Sequence, residues 1–208
     1  MIEALSRNSL ATTAYHCTVI PDHLQLLASL DLDALGIEEV LEDLRQRGVS
    51  TSIQEFFFSP FHRTADTSQR FQSRFSDGSW PIKYSALEPA TSLAECQHTR
   101  KKYVLNNGTR SATLVFSTLS FSFSGDVKDL RPKKTDWPFL TSDDGYDTCN
   151  QIAREARTAG LSGLLTPSAR AADGTCLPIF KADATKDPAI IASAKYGYDA
   201  TTKEWASA

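Results

Sequence analysis

From Ser111 to Phe123 the chain alternates apolar residues with serine and threonine, a period of two that no helix can use. Thr113-Leu114-Val115-Phe116 is followed by Leu119, Phe121 and Phe123, so successive side chains fall on opposite faces and one face is apolar. Such a segment must be a strand on a sheet with a buried side, and Asp126–Leu130 is expected to return as a hairpin-like partner. Shorter runs at 16–21 (HCTVIP), Ile82–Leu87, Leu164–Thr166 and Cys176–Phe180 supply further strands.

The intervening segments have helical spacing. HLQLLASL (23–30) and IEEVLEDLRQRG (37–48) both do, and the second puts Ile37, Val40, Leu41 and Leu44 on one face, with Gly48 as a stop. Pro89 suits the first turn of a helix carrying Leu93, Ala94 and Gln97. A later helix, capped by Asp143 or Asp144, should run to Ala159 and stop at Gly160. Phe56-Phe57-Phe58 reads as core, and the tail past Asp183 carries weak signals. Strands and helices do not alternate as βαβ units. The expectation is therefore a single α+β domain with a mixed or antiparallel sheet and flanking helices. Residues 1–55 are expected to form an N-terminal helical extension packed on the core, and residues 56–208 the main domain.

A chain of 208 residues is long enough for one proper core. Its net charge of −3 supplies no basic footprint, which argues against direct nucleic-acid binding. The Arg100-Lys101-Lys102 cluster is most simply a solvated helix face. Cys17, Cys96, Cys149 and Cys176 lack CxxC spacing, and His16, His23, His62 and His98 lack ligand spacing, so no metal site is expected. No apolar run approaches a bilayer span. The opening MIEALSRNSL lacks a signal-peptide layout, which makes the cytoplasm the expected site of action. Export through a dedicated machine would leave no trace in such a sequence.

Two segments have the composition of a site rather than a core. SRFSDGSWPIKYSALEPATSLAE (73–95) offers the guanidinium of Arg74, the phenol of Tyr84 and the carboxylate of Glu95 around the Asp77-Gly78 turn. GLLTPSAR (163–170) places Ser168 and Arg170 at the end of an expected strand. Each residue has a plainer reading. Ser92-x-x-Glu95 fits a capping box, and Arg63, Arg74 and Arg170 could be surface arginines. Tyr84 could be a half-buried strand tyrosine, and Ser168 could simply turn the chain. No G-x-S-x-G elbow surrounds Ser168, and neither GxGxxG nor a P-loop is present.

Arginine, glutamate and serine in this order, with DGTCLPIF (173–180) closing the pattern, resemble the RES-domain family over residues 56–181. The resemblance implies a fold related to the ADP-ribosyltransferases and a toxin that destroys NAD⁺ by cleaving its nicotinamide–ribose bond. Glu95, Arg74, Tyr84 and Ser168 would then be catalytic, with Arg63, Arg74, Tyr84, Ser168 and Arg170 binding NAD⁺. The dinucleotide would enter as a substrate, with no resident cofactor. The acceptor could be water or phosphate. A protein side chain would instead make the chain an ADP-ribosyltransferase, and a non-enzymatic binding module on the same fold is a third reading. The resemblance also implies a neutralising antitoxin whose C-terminal segment plugs the active site.

Overall fold

The alternating segment is the longest strand of a seven-stranded sheet in the computed structural model, which describes residues 2–20, 38–47, 49–62, 72–106, 111–143 and 145–208. The strands are β1 (Arg7–Thr18), β2 (Lys83–Ala86), β3 (Ser111–Asp129), β4 (Gly163–Pro167), β5 (Thr175–Ile179), β6 (Thr185–Asp199) and β7 (Glu204–Ser207). Described helices are α1 (Glu38–Gln46), α2 (Ile53–His62), α3 (Pro89–Asn106) and α4 (Tyr146–Thr158). The order across the sheet is β1-β2-β5-β4-β3-β6-β7, with β1 also paired to β3. Strands β1, β2, β5, β4 and β3 thus close into a ring, and β6 and β7 extend from the first half of β3. Among the described strands only β3–β4 is parallel. The architecture is the expected α+β domain with a mixed sheet.

Two local expectations are corrected. Ser111–Phe123 and Asp126–Leu130 are not two arms of a hairpin; a single strand runs to Asp129. Gly125 lets it pass straight on, because a Cβ there would lie 2.5 Å from the Ser162 side chain. Residues 7–18, within the stretch expected to be a helical extension, are β1, paired with β3 from Arg7↔Lys128 to Thr18↔Ser117, and its last three residues are the start of the strand expected at 16–21. Helix α1 does form within 37–48, whereas the helix expected at 23–30 lies outside the described residues.

Two apolar layers hold the sheet. Leu119, Phe121, Phe123, Leu165, Leu177 and Ile179 pack with Phe57 and Phe61 of α2. Leu164 faces the other way, against Cys149, Ile152, Ala153 and Ala156 of α4. Adjacent Leu164 and Leu165 serve opposite layers, so β4 is buried on both faces, as befits a central strand. The four α4 residues recur at helical spacing and form one stripe. Gly160, at φ +74°, ends that helix region as expected. Its N-terminus is Gly145 without a side-chain cap. Asp143, expected as a possible cap, is used elsewhere. Among the described residues, no helix is long and apolar enough to cross a membrane.

Candidate active site

Strand β2 alternates inward and outward. Lys83 and Ser85 are buried, while Tyr84 points to the other side. The Lys83 ammonium donates to the Phe57 carbonyl at 2.7 Å and lies 3.8 Å from the Phe57 ring centre. Burial pushes its pKa down to about 7. His16 donates its Nδ1–H to the Tyr84 carbonyl at 2.7 Å, the only role a carbonyl partner leaves that nitrogen. The Tyr84 ring is 37% exposed, yet its hydroxyl accepts from the Phe75 N–H (2.8 Å) and donates to Ser73 Oγ (2.9 Å). Burial of that hydroxyl raises the phenol above its ordinary pKa. Tyr84 therefore pins the turn that carries Arg74. Gly78 shapes this turn at φ +90°, and Asp77 Oδ1 accepts from the Ser79 N–H.

Glu95 sits in the second turn of α3, and the capping-box reading fails there. Ser92 is inside the helix, with its N–H bonded to the Glu88 carbonyl and its buried Oγ accepting from Cys17 N at 2.6 Å. The residue at the helix start is Glu88, whose Oε2 accepts from Thr91 Oγ1 (2.8 Å) and Thr175 N (2.9 Å). Glu95 is released from capping and turns toward the β4–β5 loop. Its Oε1 accepts from Ser168 Oγ (2.6 Å), the Ala169 N–H (3.2 Å) and the Cys176 thiol (3.6 Å). Burial, with the Glu95 charge beside it, raises the Cys176 thiol and keeps it a donor. No hydrogen bond among the described residues engages Oε2.

Ser168 is buried and fully used. Besides donating to Glu95, its Oγ accepts from Arg170 N (3.0 Å) and Ala171 N (2.9 Å), folding the loop back on itself. That fold directs the Arg170 guanidinium to Asp143 Oδ1 at 2.7 Å. The same carboxylate oxygen lies 3.9 Å from Arg74. Arg170 holds the Asp143 carboxyl below its ordinary pKa. Arg74 also donates to the Phe139 (3.2 Å) and Ser142 (2.5 Å) carbonyls and lies over the Tyr146 ring. Gly145 allows this close packing, since a Cβ there would sit 2.1 Å from the Phe139 oxygen.

The structure thus brings Arg74, Glu95, Ser168 and Arg170 into one continuous series of contacts, with Tyr84 bracing the Arg74 turn. Asp143 is the link that sequence reasoning missed; its signal was absorbed by its position before a helix. Arg63 lies outside the described residues. Two buried polar atoms of the series and its surroundings, Arg170 Nε and His98 Nε2, have no hydrogen-bond partner among the described residues. Burial, and then the Arg170 charge, keeps His98 below its ordinary pKa. Buried polar groups are seldom left unpaired, so both atoms are suited to a polar ligand. Among the described residues, no group of three or more His, Cys, Asp or Glu side chains could hold a metal.

A family model for the RES domain matches residues 47–199. The chain belongs to the RES-domain family. The match extends beyond residues 56–181 in both directions and takes in all of β6. No curated protein gives a significant match. A chain in the crystal structure of the M. tuberculosis MbcT–MbcA toxin–antitoxin complex is similar at 14% identity. The alignment covers 95% of this chain and 89% of that one, with a TM-score of 0.49.

Proposed function

We propose that this RES-domain protein is a toxin that consumes NAD⁺ by cleaving the bond between nicotinamide and ribose. The observation that carries the reading is the state of Glu95. One carboxylate oxygen is fixed by three donors, the other has no hydrogen-bond partner among the described residues, and two guanidinium groups follow along the same network.

Nicotinamide leaves as a neutral molecule, taking the bonding pair of the C–N bond and thereby cancelling its pyridinium charge. Positive charge then develops on the ribosyl ring. A carboxylate pre-held by Ser168 and the Ala169 N–H need not reorganise to stabilise that charge. The arginines suit the pyrophosphate, with a fork geometry that matches phosphate oxygens. Arg74 already spends one nitrogen on carbonyls, so Arg170 Nε offers the freer contact. Asp143 competes for both cations and would be displaced from them when a pyrophosphate binds. Water attacking the ribosyl carbon and losing a proton gives ADP-ribose; phosphate attacking the same carbon gives its phosphorylated counterpart. NAD⁺ is here a substrate, and no resident cofactor or metal takes part. Action in the cytoplasm and a protein antitoxin covering the site belong to the same reading, on the strength of the family.

The test is direct. Protein made by cell-free synthesis, which avoids toxicity to a host, is incubated with NAD⁺ with and without phosphate. Release of free nicotinamide is expected in at least one condition, and the product masses identify the acceptor. Unchanged NAD⁺ in both conditions overturns the proposal, whereas nicotinamide release that requires an added protein would mark an ADP-ribosyltransferase.

A further inference from the structure

All four cysteines are reduced, and their surroundings set one apart. Cys17 lies on β1 opposite Thr118 of β3, and its N–H donates to Ser92 Oγ of α3 at 2.6 Å. Ser92, Cys96 and Arg100 recur every four residues, so they form one stripe along α3. The bond to Ser92 therefore docks Cys17 against the turn that presents Cys96. The two side chains meet there. The Cys17 thiol donates a hydrogen bond to the Cys96 sulfur, and the Cys17 sulfur accepts one from the Thr118 hydroxyl. Arg100, one turn further along α3, adds a hydrogen bond from its guanidinium to Cys96. Cys17 is 5% exposed, whereas Cys96 is only half-buried.

Such an arrangement divides two roles between the sulfurs. A thiolate, not a thiol, is the nucleophile, and a hydrogen-bond donor and a neighbouring cation both favour it. The hydrogen bond from Cys17 lowers the pKa of the Cys96 thiol, burial opposes it, and the Arg100 guanidinium adds to the lowering. Cys17 in turn is raised by the same hydrogen bond and by burial, so it keeps its proton. Burial pushes Cys149 up to about 11. Burial and the Glu95 charge raise Cys176 as well.

We infer that Cys96 is an oxidant-reactive thiol with Cys17 as its resolving partner, so that hydrogen peroxide closes a Cys17–Cys96 disulfide. The Cys96 thiolate attacks one peroxide oxygen. The O–O bond breaks, hydroxide leaves and takes up a proton to become water, and Cys96 becomes a sulfenic acid. Cys17 then attacks that sulfur as its proton passes to the departing hydroxyl. The S–S bond forms, the S–O bond breaks and a second water leaves. Together the two sulfurs lose two electrons, and the peroxide gains them. The new bond fastens to β1 the turn of α3 that also holds Glu95, the residue before Cys96. Only thiol chemistry is involved, whether or not NAD⁺ is cleaved.

Full-length protein, reduced and then freed of reductant, is treated with hydrogen peroxide, digested and mapped by mass spectrometry. Wild type should yield a linked Cys17–Cys96 peptide pair, lighter by two hydrogen atoms and separated again by dithiothreitol, with Cys149 and Cys176 left as thiols. Cys17→Ser removes the resolving sulfur, so oxidation should stop at a Cys96 sulfenic acid that dimedone traps. Cys96→Ser should leave Cys17 unmodified at the same peroxide dose. In urea the four thiols should lose this selectivity, which ties it to the fold. Reaction of Cys149 or Cys176 ahead of Cys96, a disulfide between two chains in place of the internal one, or four unreacted thiols would each overturn the inference. So would selectivity that persists in urea, or a dimedone adduct on Cys17 in Cys96→Ser, which would make Cys17 the nucleophile. The wild-type map decides even where a variant fails to fold.

Discussion

Replacing Glu95 by glutamine separates charge from shape at the centre of the site. The amide oxygen can still accept from Ser168 Oγ and the Ala169 N–H, now at 2.6 and 3.2 Å from the carboxylate, and its nitrogen takes the place of the uncommitted Oε2. Three charge-assisted contacts, the weak one from the Cys176 thiol included, become neutral ones, which should cost on the order of 1–2 kcal/mol of stability. The chemical cost is larger. A carboxylate about 4 Å from a ribosyl cation, at an effective dielectric constant near 20, attracts it by roughly 4 kcal/mol. Losing that term slows the reaction by about 10³-fold. Single-turnover nicotinamide release, with saturating NAD⁺ and enzyme in excess, measures this step free of product release. Circular dichroism melting should meanwhile show a shift of only a few degrees. Activity within a few-fold of wild type would remove the carboxylate charge from the mechanism. An unfolded variant would show that Glu95 serves structure, with its bonds to the β4–β5 loop as the reason for its presence.

Two further substitutions test neighbouring elements. Arg74→Lys keeps the charge but loses the planar fork that reaches the Phe139 and Ser142 carbonyls while facing Asp143. It should raise KM for NAD⁺ and lower kcat nearly as much as Arg74→Ala does, on the order of 10-fold or more in kcat/KM. Near-wild-type steady-state kinetics in Arg74→Lys would assign the phosphate grip to another arginine. Lys83→Met tests the buried ammonium. Its pKa falls from 10.5 to about 7 on folding, so the unfolded chain binds more protons between those values and stability must rise with pH there. Below about pH 7 the penalty of the buried charge is fully present, and it is relieved as pH climbs toward 10.5. Between pH 6.5 and 9, below the range of tyrosine titration, wild type should gain on the order of 2 kcal/mol relative to Lys83→Met. Urea unfolding midpoints at the two pH values read this difference, and parallel behaviour of the two proteins would refute the buried-lysine account.

How far the sequence discloses such a molecule depends on where each element draws its stability. Strand β3 is legible because it buries every second side chain from Leu119 to Phe123 against α2. Strand β1 is legible only at its end, residues 16–18 of the strand expected at 16–21, because few of its earlier residues are buried and they are held by a full backbone ladder to β3 rather than by an apolar pattern. Strand β6 is harder still, mostly exposed from Lys186 to Lys195 yet paired along β3. A ladder needs only backbone groups, and these are the same in every sequence. Capping motifs show the converse problem, a local pattern with two meanings. Ser52-x-x-Glu55 does open α2, with Ser52 Oγ accepting from Glu55 N and the Glu55 carboxylate reaching back to Thr51. Ser92-x-x-Glu95 has the same spelling, but Pro89 has already begun the helix, and Cys17 of β1 claims the Ser92 hydroxyl. Only a strand that the local pattern hides could decide that Glu95 is not a capping residue. Asp143 is the same case: its partner, Arg170, lies in a segment distant in the chain. The residues proposed for catalysis could be named from sequence, whereas the contacts that connect them exist only once the sheet has closed.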